Sequence, residues 1–312
     1  MTVIFSPFIG QIGRAEPYIS VQELKFSATA SALDLSDLVQ DATQTGQDRA
    51  LYELILRASA KIDAHCMGRM GTLNATSFTQ NGRYRQDRLG RFRIHPSYTP
   101  VLAVSSFSWG SNMGNLTSLA LSASNVWAEE ESIIINPSGT ATTTTFSGTN
   151  TLSQLFNDYS GGEFYTQFTY INGWPNTFTA AVAAAGATSL TVTDPTGIYP
   201  GNSLQIWDGM NDEWVTVSPT YVPGTAVVTL TNPLTYAHGA GINVSMMHPN
   251  VKQACILFVV SMVKERGQGG GFEISPAGEV VQSTTGKTKG FSDDELTAYD
   301  LLDEFRALSG RL

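Results

Sequence analysis

The chain has 312 residues, 42% of them hydrophobic and only 14% charged, and its 27 acidic against 18 basic side chains leave a net charge of −9. That composition can bury a core, which excludes a wholly disordered chain, and its acidic balance argues against a broad basic surface for nucleic acid. The longest apolar helix candidate, Ala254–Val263, falls far short of the ~20 residues a membrane span needs, and no basic leader precedes an apolar run at the N-terminus.

The first part reads as helical. Ser20-Val-Gln-Glu23 has the form of a capping box, with serine and glutamate satisfying free amides at a helix start. A short apolar-periodic piece covers Leu33–Val39. Thr45 then reads as the cap of a longer helix, Gln47–Met67, with Leu51, Leu54, Ile55, Ala58, Ile62 and Cys66 at helical spacing. From Thr76 the period changes to two. Phe78, Tyr84, Phe92 and Ile94 alternate with polar residues, and Asn81-Gly82 and Leu89-Gly90 offer turns.

Charge marks the next boundary. Between Arg93 and Lys252 there is no lysine or arginine, while nine acidic residues fall there, so a charge-balanced frame surrounds an acidic, Thr/Ser/Gly-rich middle. Residues 111–247 therefore read as an inserted β-rich domain, flanked by an N-terminal helical frame with a β-hairpin (1–110) and a returning section (248–312). Strands are expected at Ser132–Ile135 and Phe164–Ile171, and Thr142–Thr145 as a solvated loop or edge. A compact module over 178–247 follows, with strands near Ser189–Thr193, Ser203–Trp207, Trp214–Ser218, Ala226–Thr231 and Ile242–Met246. Its spacing and its Gly/Pro turns predict a small barrel or sandwich.

Pro249 suits the first turn of a returning helix, and Val251–Arg266 is apolar on most faces, so it is expected to be buried against Gln47–Met67. Gly267–Gly290 is glycine-rich and polar, interrupted by Phe272, Ile274, Val280 and Val281. Ser292-Asp-Asp-Glu295 forms a second capping box, with Phe291 and Leu296 at staple positions. Leu296, Tyr299, Leu302 and Phe305 give the last helix an apolar face. The fold class expected is α+β: a small helical bundle frame with a large inserted β-rich domain.

No catalytic, cofactor-binding or metal-binding set emerges. Gly286-Lys287-Thr288 lacks the earlier glycine of a phosphate-binding loop, where Val281 stands instead. Asp208–Glu213 collects carboxylates, but Glu213 occupies the position where a calcium loop needs glycine, so a hairpin tip is the simpler reading. Glu129–Glu131 reads as solvated surface. His65, His95, His238 and His248 are scattered, and Cys66 and Cys255 read as separate buried thiols of a chain made in a reducing compartment. Arg83, Arg85, Arg88, Arg91 and Arg93 do form a cluster, opposed only by Asp87. Tyr84 and Phe92 would suit contact with nucleic acid, but the acidic remainder favours carboxylates of a neighbouring subunit.

The order of parts carries a resemblance. Tyr18-Ile-Ser-Val-Gln-Glu-Leu24, Ile55-Leu-Arg-Ala-Ser-Ala-Lys-Ile-Asp63, Tyr84-Arg-Gln-Asp-Arg-Leu-Gly-Arg-Phe-Arg93 and Val251-Lys-Gln-Ala-Cys255 follow one another along the chain. Together they resemble the head-to-tail adaptor (connector) proteins of long-tailed bacteriophages, the HK97-type connector family. The segment from Asn172-Gly-Trp-Pro175 through Asp194-Pro-Thr-Gly197 to His238 is similar to the β-insertion of actinobacterial phage adaptors. The resemblance implies a structural virion protein rather than an enzyme, located in the neck at the portal vertex and assembled in the bacterial host cytoplasm. It implies a homo-oligomeric, dodecameric ring between the portal protein and a tail-side stopper protein. Genomic DNA would pass through the lumen without sequence-specific binding. Partner contacts are expected from the five arginines, from the Phe272, Ile274, Val280 and Val281 arm, and from Leu296, Tyr299 and Phe305. No cofactor and no membrane are implied. The alternatives are a virion decoration or receptor-binding β-module and, third, a surface carbohydrate-active enzyme.

Overall fold

The computed structural model describes residues 16–30, 43–67, 71–87, 89–129, 132–137, 163–267, 272–274, 280–282 and 292–306. Helices and antiparallel sheets are mixed in the α+β manner, and the chain divides into two compact units. One comprises Met1–Asn74 with Trp174–Leu312, the other Ala75–Gly173. This division does not coincide with the boundaries read from charge at 110 and 247. The β-module after Trp174 belongs to the same unit as the helices, and the separate unit begins earlier, at the first strand.

In the first unit, α1 (Val21–Phe26) starts at Ser20, whose Oγ accepts the Glu23 amide at 3.0 Å, as the capping box predicts. The long helix α2 (Gln44–Cys66) is capped by Thr43, which accepts the Gly46 amide at 3.2 Å, and not by Thr45. Thr45 already lies inside the first turn, and Thr43 is the residue with extended backbone, as a cap requires. The predicted apolar positions of α2 are buried, and Ser59, buried beside them, is tied down by two hydrogen bonds. Its Oγ donates to the Ile55 carbonyl at 2.9 Å and accepts the Tyr18 amide at 3.1 Å. The returning helix α3 (Pro249–Gly267) begins at Pro249 and packs against both α2 and α4 (Asp293–Leu302). Its Val251, Ala254, Cys255, Phe258 and Val259 are fully buried, which accounts for an apolar sequence too short for a membrane. No helix of the described residues is long and apolar enough to cross one. Cys66 and Cys255 are free and buried, and burial pushes both thiols up to about 12.

Tyr18 shows how the first unit is stitched. Its buried hydroxyl donates to Asp63 and receives the Leu73 amide at 3.0 Å, and Asp63 accepts the same amide at 3.0 Å. Burial raises the Asp63 carboxyl to about 6, overriding the bonds from Tyr18, Leu73 and Thr72 that favour its charged form. Between the ordinary value of 3.8 and about 6 the folded chain therefore binds a proton that the unfolded chain releases. The associated stability is full below about 4 and is lost as pH rises through about 6. Asp63→Asn keeps one acceptor oxygen and removes the titration. Urea midpoints at several pH values should show the wild type losing on the order of 2–3 kcal/mol relative to the variant between pH ~4 and ~7.

The β-module contributes β8 (Asn176–Phe178), β9 (Ser189–Thr191), β10 (Ser203–Trp207), β11 (Glu213–Thr216), β12 (Val227–Thr229) and β13 (Asn243–Ser245). Sheet β11-β10-β13-β8 and ladder β12-β9 are joined by the bridges Thr179↔Val192 and Val217↔Leu230. The pairings thus run in a closed circuit, which removes free sheet edges. Alternate residues, including Leu190, Val192, Leu204, Ile206, Val215, Val217, Val228, Leu230 and Val244, fill its interior. All five predicted strands are found: Ser203–Trp207 with the predicted bounds, the strand predicted at Trp214–Ser218 shifted to Glu213–Thr216, and the other three shortened. Gly197, Gly201, Gly209 and Gly224 stand at positive φ in the predicted turns.

The second unit is built on β1 (Thr76–Arg85), β2 (Phe92–Ile94), β3 (Val101–Asn112), β4 (Asn115–Leu119), β5 (Val126–Glu129), β6 (Ser132–Ile135) and β7 (Glu163–Asn172). Sheet β1-β7-β3-β4 packs its apolar face on sheet β2-β6-β5 through Phe92, Ile94, Phe107, Ile133, Ile135, Phe168 and Tyr170. The predicted turn at Asn81-Gly82 is absent, because β1 runs straight through it, pairing Asn81 with Gln167 and Gly82 with Thr166. Gly82 is required for a different reason. The Tyr84 ring lies over it, 2.6 Å from where a Cβ would stand, and Gln80 Nε2 donates to the Tyr84 hydroxyl at 2.6 Å. The Leu89-Gly90 turn is present, with Gly90 at φ 74°. Leu33–Val39, Thr142–Thr145, Phe291 and the Gly286-Lys287-Thr288 triplet lie outside the described residues.

Candidate partner-binding surfaces

The arginine cluster lies in the second unit, where each described member already has a partner within the chain. On β1, Arg83 and Arg85 share the exposed face, as strand register predicts. Arg83 bonds the Tyr165 hydroxyl and stacks over its ring at 4.4 Å, and Arg85 meets Glu163 across the strand pair at 3.2 Å. Arg91 pairs with Asp87 at 2.7 Å, and Arg93 with Glu129 at 2.6 Å. Burial works against the Asp87 carboxylate, but the amides of Arg91 and Leu89 and the Arg91 guanidinium hold its pKa below the ordinary value. Arg88 lies outside the described residues. These pairs are largely solvated, so each contributes little to stability, ~0–1 kcal/mol. Carboxylates pair with Arg85, Arg91 and Arg93, whereas Arg83 meets a neutral tyrosine hydroxyl and leaves a positive charge beside the β1 edge.

Behind the arginines the same sheet face carries mainly polar side chains. The row Asn81–Gln167–Ser108–Ser118 crosses all four strands, and the neighbouring row joins Thr79 to Thr169 by a hydroxyl bond of 3.0 Å. Sequence reading missed this face because its strands are far apart in the chain. The signal was present in the period-two alternation of Ser, Thr, Asn and Gln with aromatics.

In the first unit, α4 presents less apolar surface than its spacing predicts. Leu302 is buried, but Leu296 is about half exposed and points away from the packed side, which holds Glu295, Ala298 and Leu302. Glu295 is inside because Lys61 pairs with it, with the Lys61 ammonium 4.7 Å from the Phe258 ring. Tyr299 and Phe305 are engaged within the chain. Tyr299 lies 5.1 Å from Phe258 and 4.8 Å from His65, while Phe305 lies 5.5 Å from Trp174 and 5.0 Å from His248. Within Gly267–Gly290, Phe272–Ile274 pairs antiparallel with Val280–Gln282 as a two-stranded ribbon, bringing Ile274 opposite Val280. The rest of that segment after Gly267 lies outside the described residues.

The carboxylates of Asp208–Glu213 are engaged as well. His238 is buried in the module with Asp208 Oδ2 at 3.1 Å from Nδ1 and Glu213 Oε1 at 2.7 Å from Nε2. Burial works against the Glu213 carboxylate, but the amides of Thr235 and Tyr236 and the His238 ring hold its pKa below the ordinary value. Asp212 accepts from Gln205 Nε2 at 3.0 Å. The hairpin-tip reading holds, since β10 and β11 pair across this turn, and the turn is also clamped onto the 235–238 segment. Among the described residues no group of three or more His, Cys, Asp or Glu side chains is placed to hold a metal ion.

Compared with protein families, curated proteins and solved structures, the chain matches none of them.

Proposed function

We propose that this protein is a head-to-tail adaptor of a long-tailed bacteriophage, a structural virion component that assembles as a ring beneath the portal. In this reading the helices from both ends of the chain form a small bundle, and the β-rich sections are elaborations inserted into it. The observation that carries the reading is the packing of α3 against α2, which brings together Ile55–Asp63 and Val251–Cys255, two of the segments whose order resembles the connector family. The long stretch without lysine or arginine suits a channel lining, since few cations are available to trade counterions with phosphate and arrest the DNA. The portal protein, a tail-side stopper and the passing genome are the partners this role requires, and the virion neck is the place.

Cryo-EM of the full chain mixed with purified portal tests the role. The expected result is a ring of copies on one portal face, impaired when Arg85 and Arg91 are both changed to Glu. Binding to capsid shells that lack a portal, with no ring on the portal itself, would instead make the chain a decoration protein.

A further inference from the structure

We propose that the second unit joins neighbouring copies edge to edge, strand β4 of one copy adding antiparallel to strand β1 of the next. Among the described residues, one sheet ends in two strands that each lack an outer ladder partner. In the order β1-β7-β3-β4, every neighbouring pair is antiparallel, so β1 and β4 run in opposite directions. Placing β4 of one copy beside β1 of another therefore extends the sheet without changing its pattern. Both strands have one ladder partner each among the described residues: β3 for β4, and β7 for β1. Strand β2 bridges past the end of β1 at Gln86↔Phe92, and the segment after it bonds the Gln80 side chain, on the face opposite the arginines.

The β4 edge carries neither the charge nor the proline that commonly guards an exposed edge. Between Arg93 and Glu129 there is no Asp, Glu, Lys or Arg, and Asn115–Leu119 contains neither charge nor proline. Lysine, inward charge and proline are the usual devices that stop a strand edge from accepting another strand. The β1 edge is different, carrying Arg83 and Arg85 on its exposed face. Two β1 edges would bring the Arg83 side chains together, whereas β4 opposite β1 places the uncharged Ser118 side chain on that face. The contact is heterologous, and repetition of a heterologous contact builds a ring or a filament rather than a closed pair. The occupant is accordingly a second copy of this chain.

This inference takes the ring of the proposed function as its setting but stands or falls on its own residue. Ser118 is exposed and lies on the same sheet face as Arg83 and Arg85. Sedimentation of the full-length chain, alone and on the portal, is to be compared for wild type, Ser118→Lys and Ser118→Glu, with circular dichroism confirming equal folding. The lysine variant should associate about fivefold or more weakly, and the glutamate variant at least as well as wild type. Equal association of the lysine variant and wild type overturns the edge contact. So does equal weakening by both charges, which points to β4 meeting β4, and so does a wild type that is monomeric both alone and on the portal. Charge-dependent association without portal binding would leave the edge contact standing and remove the adaptor role.

Discussion

Excising residues 75–173 and joining Asn74 to Trp174 through a short Gly/Ser linker should leave a folded, cooperatively melting protein. The two cut ends already meet. The Trp174 amide donates to the Leu73 carbonyl at 2.8 Å, and Asn74 and Trp174 form a parallel bridge, so the linker spans almost no distance. Closing so short a loop costs little entropy. The excised piece keeps its own core of Phe92, Phe107, Phe168 and Tyr170. Replacing 111–247 should behave in the opposite way, giving no cooperative transition. That cut removes β7, the central partner of β1 and β3, together with the barrel and its buried amides. Asn176 Nδ2 donates to the Pro17 carbonyl at 2.9 Å, and Asn243 Nδ2 donates to Asn176 Oδ1 at 2.9 Å. Circular dichroism and thermal melts of both deletions distinguish the outcomes. A folded 111–247 replacement would refute this division of the chain.

Lys252→Met should be the most damaging single substitution, costing about 3–5 kcal/mol. Lys252 and Glu23 are both about 8% exposed, with the ammonium 3.1 Å from Glu23 Oε1 and 3.3 Å from Asn243 Oδ1. The second Glu23 oxygen has no hydrogen-bond partner among the described residues, and burial raises the carboxyl above its ordinary value even with Lys252 beside it. Removing the lysine strands a buried charge. The loss should shrink as pH falls, since a protonated Glu23 needs no cation, and most of it should be recovered in Glu23→Gln/Lys252→Met. Denaturant midpoints at pH ~5 and ~8 read both effects, and an unrescued double variant would assign the damage to packing around Lys252 instead.

Much of the local structure was legible because its causes are local. Ser20 and Ser292 cap as their sequences predict, Pro249 opens its helix, and the barrel strands alternate with a period of two. The misplaced cap at Thr45 was an error of two residues between two equivalent threonines. What the sequence did not reveal is separated along the chain. Arg85 finds Glu163 78 positions away, and the clamp on His238 comes from carboxylates 30 and 25 positions away. Asn176 and Asn243 look like ordinary loop and strand polar residues, yet they bind the barrel to the helical segments. Charge composition therefore marked a boundary that packing ignores. The arginine cluster was visible as a cluster, but not that its carboxylate and tyrosine partners lie in the same chain.

The clamp at His238 also bears on which parts of the barrel move. Thr235 to His238 form no regular strand, yet the amides of Thr235 and Tyr236 are held by Glu213 at 2.9 and 3.2 Å, and the His238 amide donates to Ala183 at 2.8 Å. Slow motion in proteins follows the free energy of opening rather than the presence of a ladder. This stretch should consequently exchange its amide hydrogens on the timescale of the barrel strands, forming a rigid rim where the backbone trace alone would suggest a pliant loop.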